Sequence, residues 1–203
     1  MRLVDSISVR SRARKLRLFL DELAPTAETT VLDVGADELA FGEGDGCRTL
    51  NYFEEHYPWP ERITALGLHD GEGFRARYPS IRYVQGDACA LPFEDGEFDV
   101  VFSNAVIEHV GGHEQQRRLV SEAVRVGRRV LITTPNRWFP VEVHTRLPLV
   151  HWLPDAASHP VYRAVGKGFA TENHLLSRRN LASLFPGRVR IVNLGLTLVA
   201  IVD

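Results

Sequence analysis

The 203-residue chain is short of several residue types, and each shortage excludes a class of protein. Its two cysteines, Cys47 and Cys89, stand in no metal or redox spacing, which excludes a disulfide framework and favours a reducing, cytoplasmic setting. A formal net charge of −2 gives no basic field for nucleic acid or an anionic membrane. No apolar run is long enough for membrane insertion, and the first residues lack the pattern of a secretory signal.

Lysine is also scarce, because Lys15 and Lys167 are the only two and the other basic residues are arginine. That bias is typical of GC-rich bacterial genomes and carries no functional information. The 44% hydrophobic content is ordinary for a globular protein with a core. The length predicts a single domain over residues 1–203.

Helical and strand-like patterns alternate along the chain. Four apolar residues have i, i+3, i+4, i+7 spacing and predict an N-terminal helical cap (1–25) with a helix over 9–24: Leu16, Phe19, Leu20 and Leu23. Short apolar runs predict buried strands at 29–35, 63–68, 81–87, 98–106 and 128–135. A helix closed by Gly127 precedes the fifth strand, and Ser177 is the predicted N-cap of another helix over 175–185.

The last two runs, 188–195 and 196–203, meet near Gly195 without room for a crossover helix, which predicts an antiparallel pair. The sum is a doubly wound α/β sheet whose last strand is antiparallel.

Residues 136–174 break the alternation of predicted strands and helices, and they are rich in prolines, aromatic residues and histidines. The segment follows the carboxyl end of a predicted parallel strand, where open α/β sheets bind ligands, so we predict a lid-like insertion. His144, His151 and His159 lack a compact metal-binding spacing, and Glu142 beside His144 is only suggestive. No metal site is predicted.

Polar residues follow each of the first four predicted strands, and these are the candidate ligand-binding residues. The turn after the first strand contains Asp33, Gly35 and Ala36, where glycine allows a close approach of backbone to ligand. The ends of the next three strands provide His69 and Asp70, then Asp87 and Ala88, then Ser103 and Asn104. Glu108 and His109 follow shortly after.

The segments VLDVG, GDACALPFEDGEFDVVFSNAVIEHV and RRVLITTPN resemble the class I S-adenosylmethionine-dependent methyltransferases, especially the small-molecule, methyltransferase-11-like branch. The resemblance implies a Rossmann-like, seven-stranded sheet of order 3-2-1-4-5-7-6 with strand 7 antiparallel, and S-adenosylmethionine as cofactor. It also implies where the cofactor lies. The methionine part would meet Asp33, Gly35 and Ala36, the ribose His69 and Asp70, the adenine Asp87 and Ala88, and the reacting methyl Ser103 and Asn104.

Two departures from the family pattern concern the first loop and the acidic residue that usually binds the ribose hydroxyls. Asp37 and Leu39 stand where the family repeats glycine, and the glycines of the chain return only at 42, 44 and 46. Asp33 and Asp70 are 37 positions apart, against roughly 20 in a compact unit, which indicates an insertion of about fifteen residues. His69 occupies the usual place of the ribose acid, so Asp70 can serve only if the strand has ended by His69.

The preferred hypothesis is methyl transfer to a small-molecule or glycan-like acceptor chosen by the lid, with His109 or His144 as the base for a hydroxyl. Glu108 is expected to be structural. One alternative is a catalytically inactive methyltransferase-like binding or partner subunit with an altered cofactor loop, and another is a different use of the cofactor pocket. No nucleic-acid partner is expected, and a homodimer or a partner enzyme stays open.

Overall fold

The structure, a computed structural model, describes residues 3–36 and 51–203, with side chains described from residue 9. The predictions made for Asp37, Leu39, Cys47 and the glycines at 42, 44 and 46 lie outside these residues.

Seven strands form one sheet: β1 (Val31–Val34), β2 (Ile63–Gly67), β3 (Arg82–Gln85), β4 (Phe98–Asn104), β5 (Gly127–Pro135), β6 (Arg190–Asn193) and β7 (Thr197–Val202). The α-helices of the described residues are α1 (Leu3–Leu23), α2 (Tyr52–His56), α3 (Glu72–Arg77), α4 (His113–Val126), α5 (Asp155–Ala164) and α6 (Arg178–Ser183). Three short 3-10 helices cover Pro60–Arg62, Val150–Trp152 and Gly168–Glu172.

The strand order is β3-β2-β1-β4-β5-β7-β6, which confirms the predicted topology. Strands β1 to β5 are parallel, and β7 is antiparallel to both β5 and β6. Val34 is in register with Leu66 on one side and Ser103 on the other. The carboxyl ends of β1, β2 and β4 therefore lie next to one another at one edge of the sheet.

Apolar side chains cover both faces of the sheet, which explains the continuous apolar runs in its central strands. On one face α4 and α6 pack with residues such as Leu119 and Leu181. On the other face Phe19 of α1 is fully buried, with its ring edge-on to Phe53 and Phe102 at centroid distances of 5.0 and 5.3 Å. Burial of such a ring contributes about 2–3 kcal/mol and holds α1 against the sheet.

Several predicted boundaries are corrected. Helix α1 begins at Leu3 and not at residue 9, since the apolar spacing marks only its later turns. Strand β4 ends at Asn104 and not at 106, because Ala105 has a φ of 60° that turns the chain out of the sheet.

The predicted N-cap of the last helix is confirmed. Ser177 is the N-cap of α6, and its hydroxyl accepts a hydrogen bond from the Asn180 amide at 3.2 Å.

The segment 136–174 is not an irregular connection, because it contains α5 and two of the 3-10 helices. Gly127 does end α4, but with an extended φ of −110° and not the left-handed conformation of a glycine cap. A Cβ atom there would lie 2.5 Å from a methyl group of Val101, so close packing explains the glycine. Within the described residues, no helix combines the length and the apolar character needed to cross a membrane.

Gly35 begins the turn after β1 in a conformation that L side chains rarely adopt, with a φ of +102°. A Cβ atom on Gly35 would lie 2.1 Å from Cγ2 of Val106, which follows β4. The turn after β1 and the turn after β4 are thus in direct contact, and only glycine leaves room for that contact.

We expect Gly35→Ala to lower the free energy of unfolding by about 3 kcal/mol, because backbone strain and steric overlap add. The measurement is denaturant unfolding of the full chain. Gly96→Ala is the matched control, since Gly96 also has a positive φ but no atom within 4 Å of the added Cβ. Its cost should be about 1 kcal/mol. The cost of Gly35→Ala should also shrink in a Val106→Ala background, and equal costs at Gly35 and Gly96 would contradict the contact.

Candidate functional site

The turn after β1 is fixed to the neighbouring strand through its backbone. The amides of Gly35 and Ala36 both donate to the carbonyl oxygen of Leu66, at 2.8 and 3.0 Å. Ala36 is buried, and Asp33 at the end of β1 is only 5% exposed. The three residues predicted to meet the methionine part of the cofactor therefore lie together at this edge.

Asp33 shares its buried position with a second carboxyl group, Glu54 of α2, which sequence reasoning missed because it lies far along the chain. Burial raises the pKa of Asp33 to about 7, although its hydrogen bond with Glu54 opposes the shift. Burial, followed by the charge of Asp33, raises the pKa of Glu54 well above its usual value. A cationic group bound beside this pair would stabilise the ionised form of the two buried carboxyl groups.

The ribose candidates lie beyond the end of their strand. Strand β2 ends at Gly67, so His69 and Asp70 are free of strand alternation and both are exposed. Because β2 has ended before His69, Asp70 can face the proposed ribose position. Its carboxylate accepts a hydrogen bond from the Glu72 amide at 2.9 Å. The hydroxyl of Tyr83, in β3, donates a hydrogen bond to the His69 carbonyl at 2.9 Å and so links β3 to the turn after β2.

The adenine candidates lie after β3. Asp87 is exposed, and its carboxylate accepts a hydrogen bond from the Cys89 amide at 2.8 Å, which fixes the turn. Ala88 is half-buried and packs against the core. Both residues lie beside the end of β2, since Gly67 is in register with Gln85.

At the end of β4, Ser103 is fully buried, and its hydroxyl has no hydrogen-bond partner in residues 3–36 and 51–203. Oδ1 of Asn104 accepts hydrogen bonds from Nζ of Lys15 at 2.5 Å and from the Thr133 hydroxyl at 2.8 Å. Burial lowers the pKa of Lys15 to about 8. A shallow, solvent-open cleft lies beside Lys15 and Asn104, and Phe53 is part of its wall.

Lys15 is a site residue that the sequence interpretation overlooked. A usable signal was its position directly before Leu16, at the edge of the apolar stripe of an arginine-rich helix. Only 8% of Lys15 is exposed.

The two predicted catalytic histidines lie together around a buried carboxylate. Glu108 is fully buried and lies in the turn after β4, where its Oε2 accepts a hydrogen bond from Thr134 at 3.1 Å. The other oxygen, Oε1, lies 3.9 Å from Nε2 of His109 and 3.9 Å from Nε2 of His144. The two rings meet edge to face with centroids 4.9 Å apart.

Glu142 holds His144 in place. Its Oε1 is 2.7 Å from Nδ1 of His144 and accepts the His144 amide at 3.0 Å, while Oε2 accepts the Thr145 amide at 2.6 Å. Burial is the largest single influence and opposes ionisation of both groups, but the hydrogen bonds and opposite charges around them together outweigh it. The pKa of Glu142 is lowered to about 2 by its hydrogen bonds with His144 and Thr145, and the pKa of His144 is raised by Glu142 and Glu108. Burial raises the pKa of Glu108 to about 7, and burial lowers that of His109.

His151 and His159 do not join this cluster. Nε2 of His151 is hydrogen-bonded to the Phe139 carbonyl at 2.9 Å, and His159 lies 3.9 Å from Asp155. Both histidines line a second, solvent-open cleft within the segment 136–174. Glu142 also lines that cleft, so the cleft borders the cluster of Glu108, His109 and His144.

A family model described as "Methyltransferase domain" matches residues 39–130, which include the ends of β2, β3 and β4. Together with the observed strand order and the relatives described next, that match supports the class I S-adenosylmethionine-dependent methyltransferases as the family of this chain. It also supports S-adenosylmethionine as the cofactor.

Relatives agree with this assignment. The chain is 33% identical over 185 residues to a phthiotriol/phenolphthiotriol dimycocerosates methyltransferase of Mycobacterium tuberculosis, covering 78% of this chain and 62% of that protein. It is 42% identical over 66 residues to a probable S-adenosylmethionine-dependent methyltransferase of Mycolicibacterium smegmatis, covering 31% of this chain and 24% of that one. A methyltransferase structure from Thermotoga maritima has the same fold, with a TM-score of 0.61, 15% identity and coverage of 98% and 90%.

We expect Glu54→Gln to change how stability depends on pH. Glu54 has a raised pKa in the folded chain, so above its usual value of 4.5 the folded state holds a proton that the unfolded state has lost. Stability therefore falls as the pH rises. The wild type should lose free energy of unfolding between pH 5 and pH 8, and Glu54→Gln should lose less, by an amount on the order of 1 kcal/mol.

The measurement is urea unfolding at both pH values. Glu172→Gln, an exposed glutamate, is the control and should follow the wild type. The same pH dependence in Glu54→Gln and in the wild type would show that the buried pair does not titrate as described.

Proposed function

We propose that this chain transfers a methyl group from S-adenosylmethionine to a hydroxyl group of an apolar small molecule. The observation that carries the proposal is the row of polar residues at the adjacent ends of β1 to β4, next to a pair of histidines held by carboxylates. Because the chain spans 62% of the mycobacterial dimycocerosates methyltransferase, the activity of that whole protein is not assumed for it.

The residues at this edge fit the cofactor. The buried carboxylate of Asp33 would accept the cationic amine, Asp70 the ribose hydroxyls and Asp87 the exocyclic amine of adenine. When bound, S-adenosylmethionine supplies an electrophilic methyl group on a sulfonium. The chain contributes alignment of the reactants in a pocket from which water is largely excluded, which is worth several kcal/mol of barrier.

The acceptor is proposed to be apolar because of the segment 136–174. Of the nine large hydrophobic side chains exposed in the described residues, eight lie between 138 and 169. They are Trp138, Val141, Leu149, Trp152, Leu153, Val161, Val165 and Phe169. Exposed apolar side chains concentrated in one segment are typical of a binding surface, and we assign the segment the role of an acceptor-selecting lid. The dimycocerosates relative, whose name includes phthiotriol, supports a hydroxyl-bearing, lipid-like acceptor.

His144 is proposed as the base that takes the proton of the acceptor hydroxyl. Its Nδ1 is engaged by Glu142, so Nε2 is the nitrogen available for that proton. His109, with its ring beside that of His144, is the second candidate. Lys15 and Asn104 would border the reacting groups at the end of β4.

The alternative of an inactive binding subunit depended on the first loop and on His69. The loop lies outside the described residues, and Asp70, exposed beyond the end of β2, is the residue that we propose in place of His69. No observation therefore favours that alternative.

We expect the full chain to bind S-adenosylmethionine and S-adenosylhomocysteine in isothermal titration calorimetry, and Asp87→Asn to weaken both by about tenfold or more. The substitution keeps an oxygen for the turn but removes the charge that accepts the adenine amine. Asp21→Asn, at an exposed position of α1, is the control and should bind like the wild type. Failure of the folded wild type to bind either compound would overturn the proposal.

The same protein is then assayed for transfer of radiolabelled methyl from S-adenosylmethionine to a panel of hydroxyl-bearing lipids and of polar sugars. Transfer should be confined to the apolar hydroxyl compounds. Transfer to the sugars alone would contradict the assignment of the acceptor while leaving the cofactor assignment intact.

A further inference from the structure

We infer that Glu108, His109 and His144 form a binding site for a divalent transition-metal ion of the Zn²⁺ class. The three residues come from two segments, one after β4 and one after β5, which is why no spacing in the sequence indicated the site. The inference concerns metal binding by the chain itself and does not depend on the proposed methyl transfer.

The geometry is close to that of a formed site. One ligand atom from each residue can be chosen such that all three lie within 4.8 Å of one another, and each of the two Oε1–Nε2 distances is 3.9 Å. In a tetrahedral site with bonds of about 2.0–2.2 Å, ligand atoms lie roughly 3.4 Å apart. Shortening the two 3.9 Å distances by about half an ångström, and the third separation by up to about 1.4 Å, would close the site. The His109 side chain, 46% exposed, has room for such a movement.

A second, independent observation is the unpartnered oxygen of Glu108. The side chain is 0% exposed, and its Oε1 has no hydrogen-bond partner among the described residues. A buried carboxylate oxygen without a partner is costly to the folded state. This oxygen faces Nε2 of both histidines, so a cation bound between the three atoms would provide the partner.

The carboxylate of Glu142 orients the site in the way that metal sites require. Metal-bound histidines commonly donate their second ring N–H to a carboxylate, and Glu142 is 2.7 Å from Nδ1 of His144. That hydrogen bond leaves the Nε2 lone pair of His144 for a metal. Two imidazoles and one carboxylate favour Zn²⁺ or Fe²⁺ over Mg²⁺ and Ca²⁺, which prefer oxygen ligands.

Three protein ligands leave a fourth position for water or for an acceptor oxygen. In the metal-bound chain Nε2 of His144 would be a ligand and not a base, and the cation would assist proton loss from a coordinated hydroxyl. Only this consequence rests on the proposed function.

The test is Zn²⁺ binding by untagged, full-length protein after dialysis against a chelator, measured by competition with a chromophoric Zn²⁺ indicator. The wild type should bind one Zn²⁺ per chain. His109→Ala and His144→Ala should each weaken binding by about tenfold or more, and Glu142→Gln by about 10- to 100-fold. Zn²⁺ should also raise the melting temperature of the wild type but not that of His144→Ala.

His113→Ala is the matched control, because His113 is an exposed histidine at the start of α4 outside the cluster. It should bind Zn²⁺ like the wild type. Circular dichroism of each metal-free variant establishes that it is folded, and His109→Ala removes a partly exposed ring without opening the core. No stoichiometric Zn²⁺ uptake by the wild type, or equal affinity in His109→Ala and the wild type, would overturn the inference. Binding of S-adenosylmethionine is measured separately, so its outcome does not decide whether the chain binds Zn²⁺.

Discussion

The contact between Gly35 and Val106 brings together the two turns on which the site depends. Gly35 begins the turn after β1, and Val106 belongs to the turn after β4, where Ala105 adopts a φ of 60°. The residues after β1 that we propose to bind the cofactor therefore lie at the same edge of the sheet as Asn104 and as Glu108 with its two histidines. Any side chain at Gly35 would separate these turns, so the same glycine serves both the fold and the site.

Burial of charge is the second constraint. Asp33, Glu54 and Glu108 are each at most 5% exposed, and burial raises the pKa of each carboxyl group. Buried carboxyl groups without cations destabilise a fold, and a cationic ligand removes part of that cost. The positions where this chain is least well satisfied are therefore those where we place the cofactor amine and the metal ion. Lys15, which is 8% exposed, donates a hydrogen bond to Asn104.

Much of this arrangement could be predicted from the sequence. Strands buried on both faces give continuous apolar runs, and the family resemblance supplied the strand order and the residues at the strand ends. Contacts between distant segments could not be predicted in the same way. Glu54 meets Asp33, Lys15 meets Asn104, and His144 meets Glu108 only after folding. Helical spacing also missed the helices within 136–174, where apolar residues such as Val161 and Phe169 are exposed and leave no buried apolar stripe to recognise.

The central claim is that the carboxyl ends of β1 to β4 bind S-adenosylmethionine. The most direct test is a crystal structure of the chain with S-adenosylhomocysteine. The account predicts the amine of the ligand at Asp33, its ribose at Asp70, its adenine at Asp87 and Ala88, and its sulfur facing Asn104. Ligand density at another edge of the sheet, or none beside Asp33 at saturating ligand, would contradict it.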